Sequence, residues 1–339
     1  MATIKMMLRR ILRWDQRTKA QQAMRRRLLY HHLIGGLGVY LVSGIFMSLS
    51  LVPLSFKRRL ASLYVAKAAA DLDCGLNSTA MQAARQAVSL WPDVPRGYYI
   101  ISNAMFPGET YYDLLRRFHD WLRPKNYVEI GVNIGGSIAL ARPPTVVVGI
   151  DPRPRLLCAP HTICKLFPLT SDKYFTARDV RRDIEAETVD LAFIDGLHLF
   201  EQALRDFINI ESVSSSTTVV LIHDCFAIDA LTAERERKTE ELWTGDVWKV
   251  IPCLRDFRPD LNVLTIPTPP TGLGVVSRLD SRSTVLTDRF DEIVSRYLSL
   301  EFEPDEGRRR KDALMIANDW QQIVIRLSDG SGWRRSSQC

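Results

Sequence analysis

The hydrophobic rhythm of the chain changes along its length. Between residues 58 and 122 small and apolar side chains recur at three- and four-residue spacing, which predicts helices, with Gly75 and Asn77 marking a turn. From Asn126 onward the pattern becomes short runs of Val, Ile, Leu and Phe separated by helical stretches, the mark of a parallel sheet with crossover connections. Strands are expected at 126–130, 145–151, 173–177, 189–195, 217–223, 261–266 and 273–277, and the best helices at 199–212 and 246–257. The expected fold class is therefore α/β, a doubly wound, seven-stranded, mostly parallel sheet with an N-terminal helical extension. After residue 280 one or two helices are expected, with the charge run from Glu306 to Lys311 as a solvated face.

A different pattern precedes these. No Asp, Glu, Lys or Arg occurs between Arg27 and Lys57, and the stretch from Leu33 to Leu54 is long and apolar enough to cross a bilayer. Membrane association through residues 33–54 is the expectation, with a buried helical hairpin as the alternative. The domains expected are a basic N-terminal segment (1–57), a helical connector (58–122), a catalytic body (123–280) and a helical tail (281–339). The run from Ala83 to Pro92 looks like half of a tetratricopeptide unit, but one isolated unit cannot build a solenoid, so a cap or linker is expected.

Charge narrows the partners. Of a net charge of +6 over 339 residues, residues 1–27 carry nine Lys or Arg against Asp15, a local +8, which leaves the rest of the chain slightly acidic. A nucleic-acid groove in the body is not expected. The six cysteines show no CxxC pair, so neither a zinc site nor a disulfide framework is indicated. Scattered cysteines suit a reducing, cytoplasmic setting. The basic block before the apolar segment favours an inside amino terminus, which would put the body outside the cytoplasm. A body that needs a cytoplasmic cofactor, at the inner face of a membrane, requires the segment to insert the other way, to lie in the interface or not to span.

The strands end in chemistry. Ligands of such sheets bind at the carboxyl ends of the strands, near the point where strand order reverses. Strand one runs into Glu129, Gly131, Gly135 and Ser137, where glycines let the backbone approach a ligand; the spacing is not GxGxxG, which disfavours a dinucleotide. Strand two ends in Asp151, placed to accept both hydroxyls of a ribose, and Asp179 follows the expected third strand, placed to meet an adenine amine. Strand four delivers Asp195, Gly196 and His198, and strand five closes in His223 and Asp224. A neutral imidazole suits His198 to removing a proton, with a helix-entry residue as the bland alternative. His223, inside an apolar strand, reads as a satisfied core histidine. Asp206 reads as one half of a salt bridge, and Trp248 with the turn at Thr271 and Gly272 is expected on the acceptor side.

The ordered set Glu129-Ile130-Gly131 with Gly135 and Ser137, Gly149-Ile150-Asp151-Pro152, Asp195-Gly196-Leu197-His198 with Asp206, and His223-Asp224 resembles the class I S-adenosylmethionine-dependent methyltransferases. The branch it is most similar to contains the macrocin-type sugar O-methyltransferases and the cephalosporin-hydroxylase-like proteins. The resemblance covers roughly residues 110–280. It implies a Rossmann-like methyltransferase domain, S-adenosylmethionine as cofactor and O-methylation of a small-molecule or glycan acceptor. It further implies Mg²⁺ or Mn²⁺ held by Asp195 and Asp224, although His223 stands where metal-dependent members often carry a second acid. A non-catalytic membrane-associated adaptor with a degenerate nucleotide-binding fold is the rival from another class.

Overall fold

The computed structural model describes residues 53–328, which divide after Met105 into two compact units. The first holds α1 (Leu54–Asp73), α2 (Asn77–Leu90) and α3 (Gly97–Met105). α1 and α2 pack against each other, and most of their buried positions are alanines, among them Ala61, Ala68, Ala70, Ala80, Ala84 and Ala87. Methyl-sized contacts let helix axes approach closely. All but the last two residues of the apolar stretch 33–54 fall outside the described residues. Among the described residues no helix is long and apolar enough to cross a membrane.

The second unit opens with α4 (Tyr111–Leu122), started by a capping box in which Thr110 and Asp113 satisfy each other's backbone N–H groups. There follow β1 (Asn126–Ile130), β2 (Val146–Ile150), β3 (Cys164–Phe167), α5 (Ser171–Ala177), α6 (Val180–Ile184), β4 (Val189–Ile194), α7 (Phe200–Glu211) and β5 (Ser214–His223). The unit continues with α8 (Val250–Phe257), β6 (Asn262–Ile266), β7 (Leu273–Ser277), α9 (Val285–Asp288), α10 (Phe290–Leu298), α11 (Glu306–Asp312) and α12 (Trp320–Ser328). The seven strands form one sheet in the order β3-β2-β1-β4-β5-β7-β6, parallel except for β7, which runs antiparallel to both neighbours. This is the Rossmann-like methyltransferase arrangement, and its order reverses between β1 and β4.

Strand alternation builds two cores. Val128, Ile130, Val148, Ile150, Ala192 and Ile194 share one face with Leu204 and Phe207 of α7 and Leu254 of α8. Tyr127, Val147, Leu191, Phe193 and Leu221 share the other with Leu114, Leu115 and Phe118 of α4 and Ile323 of α12. Burying each such Leu, Ile or Phe contributes about 1.5–3 kcal/mol.

Two expectations are corrected. Residues 173–177 lie in α5, not a strand, and the third strand is Cys164–Phe167. The aromatic and β-branched residues of KYFTA favoured a strand. Thr170, however, caps the helix by accepting from the Lys173 N–H, and Asp172 sits favourably in its first turn. β3 is an edge strand, half-buried along its whole length and carrying Lys165, so its apolar signal is weak. In the tail, α9–α12 form four helices and the charge run is not wholly solvated. Arg309 is buried, its guanidinium over the rings of Phe226 and Phe302 at 5.0 and 4.5 Å.

Arg258, which follows α8, is only 1% exposed. It donates to Glu211 at 2.6 Å and forms a fork on Asp260 at 2.9 and 2.7 Å. Removing one partner of a buried pair leaves an uncompensated charge, here on Glu211 at the end of α7. Arg258→Ala is expected to lower unfolding free energy by about 3–5 kcal/mol, read as a lower urea midpoint with an unchanged slope.

Candidate active site

At the carboxyl ends of β1, β2, β4 and β5 lies a cleft of about 720 Å³. Its floor is set by backbone contact. The Gly131 N–H donates to the Ile150 carbonyl and the Asp195 N–H to the Ile130 carbonyl, both at 2.8 Å, so the ends of three strands are tied together. Gly131 has φ +91°, and a Cβ there would stand 1.9 Å from the Asp195 carbonyl oxygen. Only glycine fits.

The glycine loop is held by Asp151. One oxygen of its carboxylate accepts from the N–H groups of Val132 and Asn133 at 3.0 and 2.8 Å, and the other from Arg153 at 2.6 Å. A carboxylate offers roughly four acceptor positions, so Asp151, which lines the cleft, keeps capacity for one more donor. Gly131 and Asp151 thus meet in the cleft as expected. Glu129, Gly135 and Ser137 do not line it. Glu129 is buried beneath the loop, bonded at 2.6 Å to both Tyr127 and Ser137. Burial pushes its carboxyl up to about 8, against the opposing hydrogen bonds from Ser137 and Tyr127. Gly135, at φ +81°, packs on Leu156. These three support the loop rather than face the cavity.

Asp179 is a further correction. It caps α6 by accepting from the Arg181 N–H at 3.0 Å and lies outside the cleft lining. Its expected place followed from the misassigned third strand. The acid that follows β3 in the cleft is Asp172, beside Thr170 and Ser171. Gln202, on α7, bonds Ser171, Asp172 and the buried Asp206 at 3.1, 3.0 and 3.0 Å and closes that end. Burial pushes the Asp206 carboxyl up to about 6, although Ser171 and Gln202 bond to it.

At the other end four groups converge. His223 Nδ1 lies 3.2 Å from an Asp195 oxygen and 3.3 Å from an Asp224 oxygen. His198 Nδ1 lies 2.8 Å from the Trp243 carbonyl and 3.1 Å from the other Asp224 oxygen, while its Nε2 lies 3.7 Å from Asp195. A carbonyl only accepts, so Nδ1 of His198 carries a proton and Nε2 presents its lone pair to the cleft. Trp243 stacks on the same imidazole at 5.1 Å, and Gly245 packs beneath it, where a Cβ would meet the His198 carbonyl. Asp224 has φ +60°, a conformation costing a non-glycine residue on the order of 1 kcal/mol. A hydrogen bond from Thr271 secures it.

His223 was expected to be a satisfied core histidine; it instead bridges the two acids, and its Nε2 has no partner among the described residues. The Tyr111 ring lies against it at a tilt of 41°, with ring centroids 4.4 Å apart. Burial alone would lower its pKa, but Asp224 and Asp195 outweigh burial and raise it well above 6.5. Burial likewise pushes Asp224 up, yet His223, His198 and the hydrogen bonds from His223 and Thr271 hold it at about 2. Sequence signalled His223 only through its place before Asp224. Trp243, Leu242 and Pro270, which also line the cleft, carried no signal. Trp248 lines a separate cavity of about 380 Å³ beside Phe302 and Arg309, a correction to its expected place on the acceptor side.

Residues 128–225 match the model of a family described as a methyltransferase domain. The match covers most of the strands and loops that form the cleft. Gly131, Asp151, Asp172, Asp195, His198, His223 and Asp224 all fall inside the matched segment. Among solved structures it is similar to the SAH-bound methyltransferase PaMTH1 of Podospora anserina, with 15% identity, 54% of this chain and 86% of that chain covered and a TM-score of 0.35. It is also similar to the O-methyltransferase of Bacillus cereus in complex with SAH (13% identity, 58% and 90% covered, TM-score 0.36). A third is TomG of Streptomyces achromogenes in complex with SAM (14% identity, 59% and 89% covered, TM-score 0.38). No curated protein is significantly similar to the chain.

The shifts at Asp224 and His223 fix a pH window. The raised pKa of His223 gives stability that is complete below its ordinary value of 6.5 and is lost as pH rises through the folded value. The lowered pKa of Asp224 gives stability present above 3.8 and lost as pH falls toward about 2. The difference in melting temperature between wild type and His223→Gln should therefore be greatest between these ordinary values and shrink at alkaline pH.

Proposed function

We propose that this unit is an S-adenosylmethionine-dependent O-methyltransferase acting on a hydroxyl of a sugar or other small polar acceptor, as in the macrocin-type branch. One observation carries the reading. A single cleft, inside the matched methyltransferase segment, joins a nucleoside-type end at Gly131, Asp151 and Asp172 to an end built for handling a hydroxyl proton at Asp195, His198 and Asp224.

S-adenosylmethionine, when bound, supplies an electrophilic methyl group. Gly131 keeps the floor open to it, the spare acceptor position of Asp151 takes a ribose hydroxyl, and Asp172 takes the adenine amine in place of Asp179. His198 removes the acceptor's proton at Nε2. Its Nδ1–H is fixed by Trp243 and Asp224, and the Asp224 charge stabilises the imidazolium that forms. Asp195 faces the same Nε2 and orients the hydroxyl. Alignment of the reacting groups is the main requirement of methyl transfer, so a rigid cluster serves it well.

Asp195, His198 and Asp224 offer ligand atoms within 4.8 Å of one another. The donor set fits a mixed nitrogen and oxygen site, closer to Mn²⁺ than to Mg²⁺, which prefers oxygen alone. Asp195 and Asp224 would hold such an ion, and its Lewis acidity would lower the pKa of the acceptor hydroxyl.

Calorimetry should show micromolar binding of S-adenosylhomocysteine; no binding at millimolar concentration overturns the proposal. Asp151→Ala should weaken that binding at least tenfold. His198→Ala should leave it within a few-fold while cutting kcat by about 10²–10⁴, and loss of turnover on adding chelator would assign the ion a part.

A further inference from the structure

The cleft lining contains two permanently charged cations, Arg153 and Arg155, both on the connection from β2 to β3. Among the described residues their guanidinium groups make no hydrogen bond, ion pair or ring contact. Other arginines of this unit differ: Arg178 is paired with Asp183, Arg205 with Asp172, and Arg235 with Glu201 and Asp246. Two free guanidiniums beside a cavity are five-donor forks without a partner, and carboxylate and phosphate groups, which accept two parallel N–H bonds, are the ligands that match them.

The backbone beneath them is fixed in advance. The segment reads Asp151-Pro152-Arg153-Pro154-Arg155, so prolines restrict the residues on either side of Arg153. The Arg153 N–H is held by Asp151, the Arg155 N–H by the Asn133 carbonyl at 2.8 Å, and the Leu157 N–H by the Ile134 carbonyl at 2.9 Å. The connection is thus fastened to the glycine loop, and ordering the two arginines requires only their side chains to settle. The rest of the lining holds four acids, Asp151, Asp172, Asp195 and Asp224, with histidines beside the last two alone. Among the lining's cationic groups, those two arginines are the ones that no acid engages, whereas His223 is held between Asp195 and Asp224.

We propose that Arg153 and Arg155 form an oxyanion clamp at the rim of the cleft, taking a carboxylate or phosphate of the bound ligand. Two sources share this chemistry, the amino-acid carboxylate of the cofactor and an acidic group on the acceptor. The choice between them rests on the methyl-transfer reading; the clamp itself does not.

The test compares wild type with Arg153→Gln/Arg155→Gln, both exposed positions whose backbone bonds survive the change. Ligands are S-adenosylhomocysteine, 5′-methylthioadenosine (the same nucleoside thioether without the carboxylate) and inorganic phosphate. Losing two charge-assisted hydrogen bonds should cost roughly tenfold or more in affinity. If S-adenosylhomocysteine weakens by that factor and 5′-methylthioadenosine does not, the clamp holds the cofactor's carboxylate. If S-adenosylhomocysteine is unchanged but phosphate binding, followed by Trp243 fluorescence, disappears, the clamp serves the acceptor. In either case added salt should weaken wild type and leave the variant nearly unaffected. Unchanged binding of all three ligands, or equal weakening of both nucleosides, overturns the clamp. Failure of wild type to bind either nucleoside would instead defeat the methyl-transfer reading, with the phosphate measurement still deciding the clamp.

Discussion

The architecture of the site depends on one close approach, the passage of Gly131 over the Asp195 carbonyl. β1 and β4 are the neighbours between which strand order reverses, so their chains leave the sheet toward opposite sides and open a crevice. The crevice is usable only if the two chains stay together up to the last residue. The hydrogen bonds from Asp195 to Ile130 and from Gly131 to Ile150 achieve that, and they bring the backbones so near that no side chain fits between them. Tightness at the floor also sets where Asp195 stands relative to Asp151, two groups on different strands that the site needs in one cavity.

Placing acids around a single cleft creates an electrostatic problem, and each is handled differently. Asp151 is spent largely on backbone N–H groups of the loop it secures. Asp195 and Asp224 share the Nδ1 of His223, and Asp224 also meets His198. Glu129, in the strand behind them, is fully buried, and burial raises its pKa to about 8 against the hydrogen bonds it accepts from Ser137 and Tyr127. Adding a further ionised group to that strand would be far more expensive.

The sheet was legible in the sequence because strands buried on both faces read as continuous apolar runs. β2, β4 and β5 carry such runs, and each delivers its acid, Asp151, Asp195 or Asp224, immediately after the strand ends. β3 did not, because an edge strand needs apolar residues on fewer sides and Lys165 interrupts it. That miss displaced the third-strand acid from Asp172 to Asp179. Trp243, Leu242 and Pro270 come from loops whose path is set by long-range packing, and no local spacing encodes it. Arg309 was misread for a related reason. In a charge run its sequence context is that of a solvated face, and only the rings of Phe226 and Phe302 make its burial favourable.

The part played by His198 turns on its single free lone pair. With Nδ1 committed to the Trp243 carbonyl, Nε2 can accept a proton or bind an ion, but not both at once. His223 bears on the choice. Its N–H already neutralises part of the charge of Asp195 and Asp224, the charge that would otherwise draw a cation into the cleft. An ion entering there would have to compete with that imidazole for carboxylate oxygens, with Asp224 held below the ordinary carboxylate range by the same partner. On the proposed methyl-transfer reading Nε2 would then serve as the proton acceptor, with the two acids acting on the acceptor hydroxyl through orientation and through the charge they lend to the histidines.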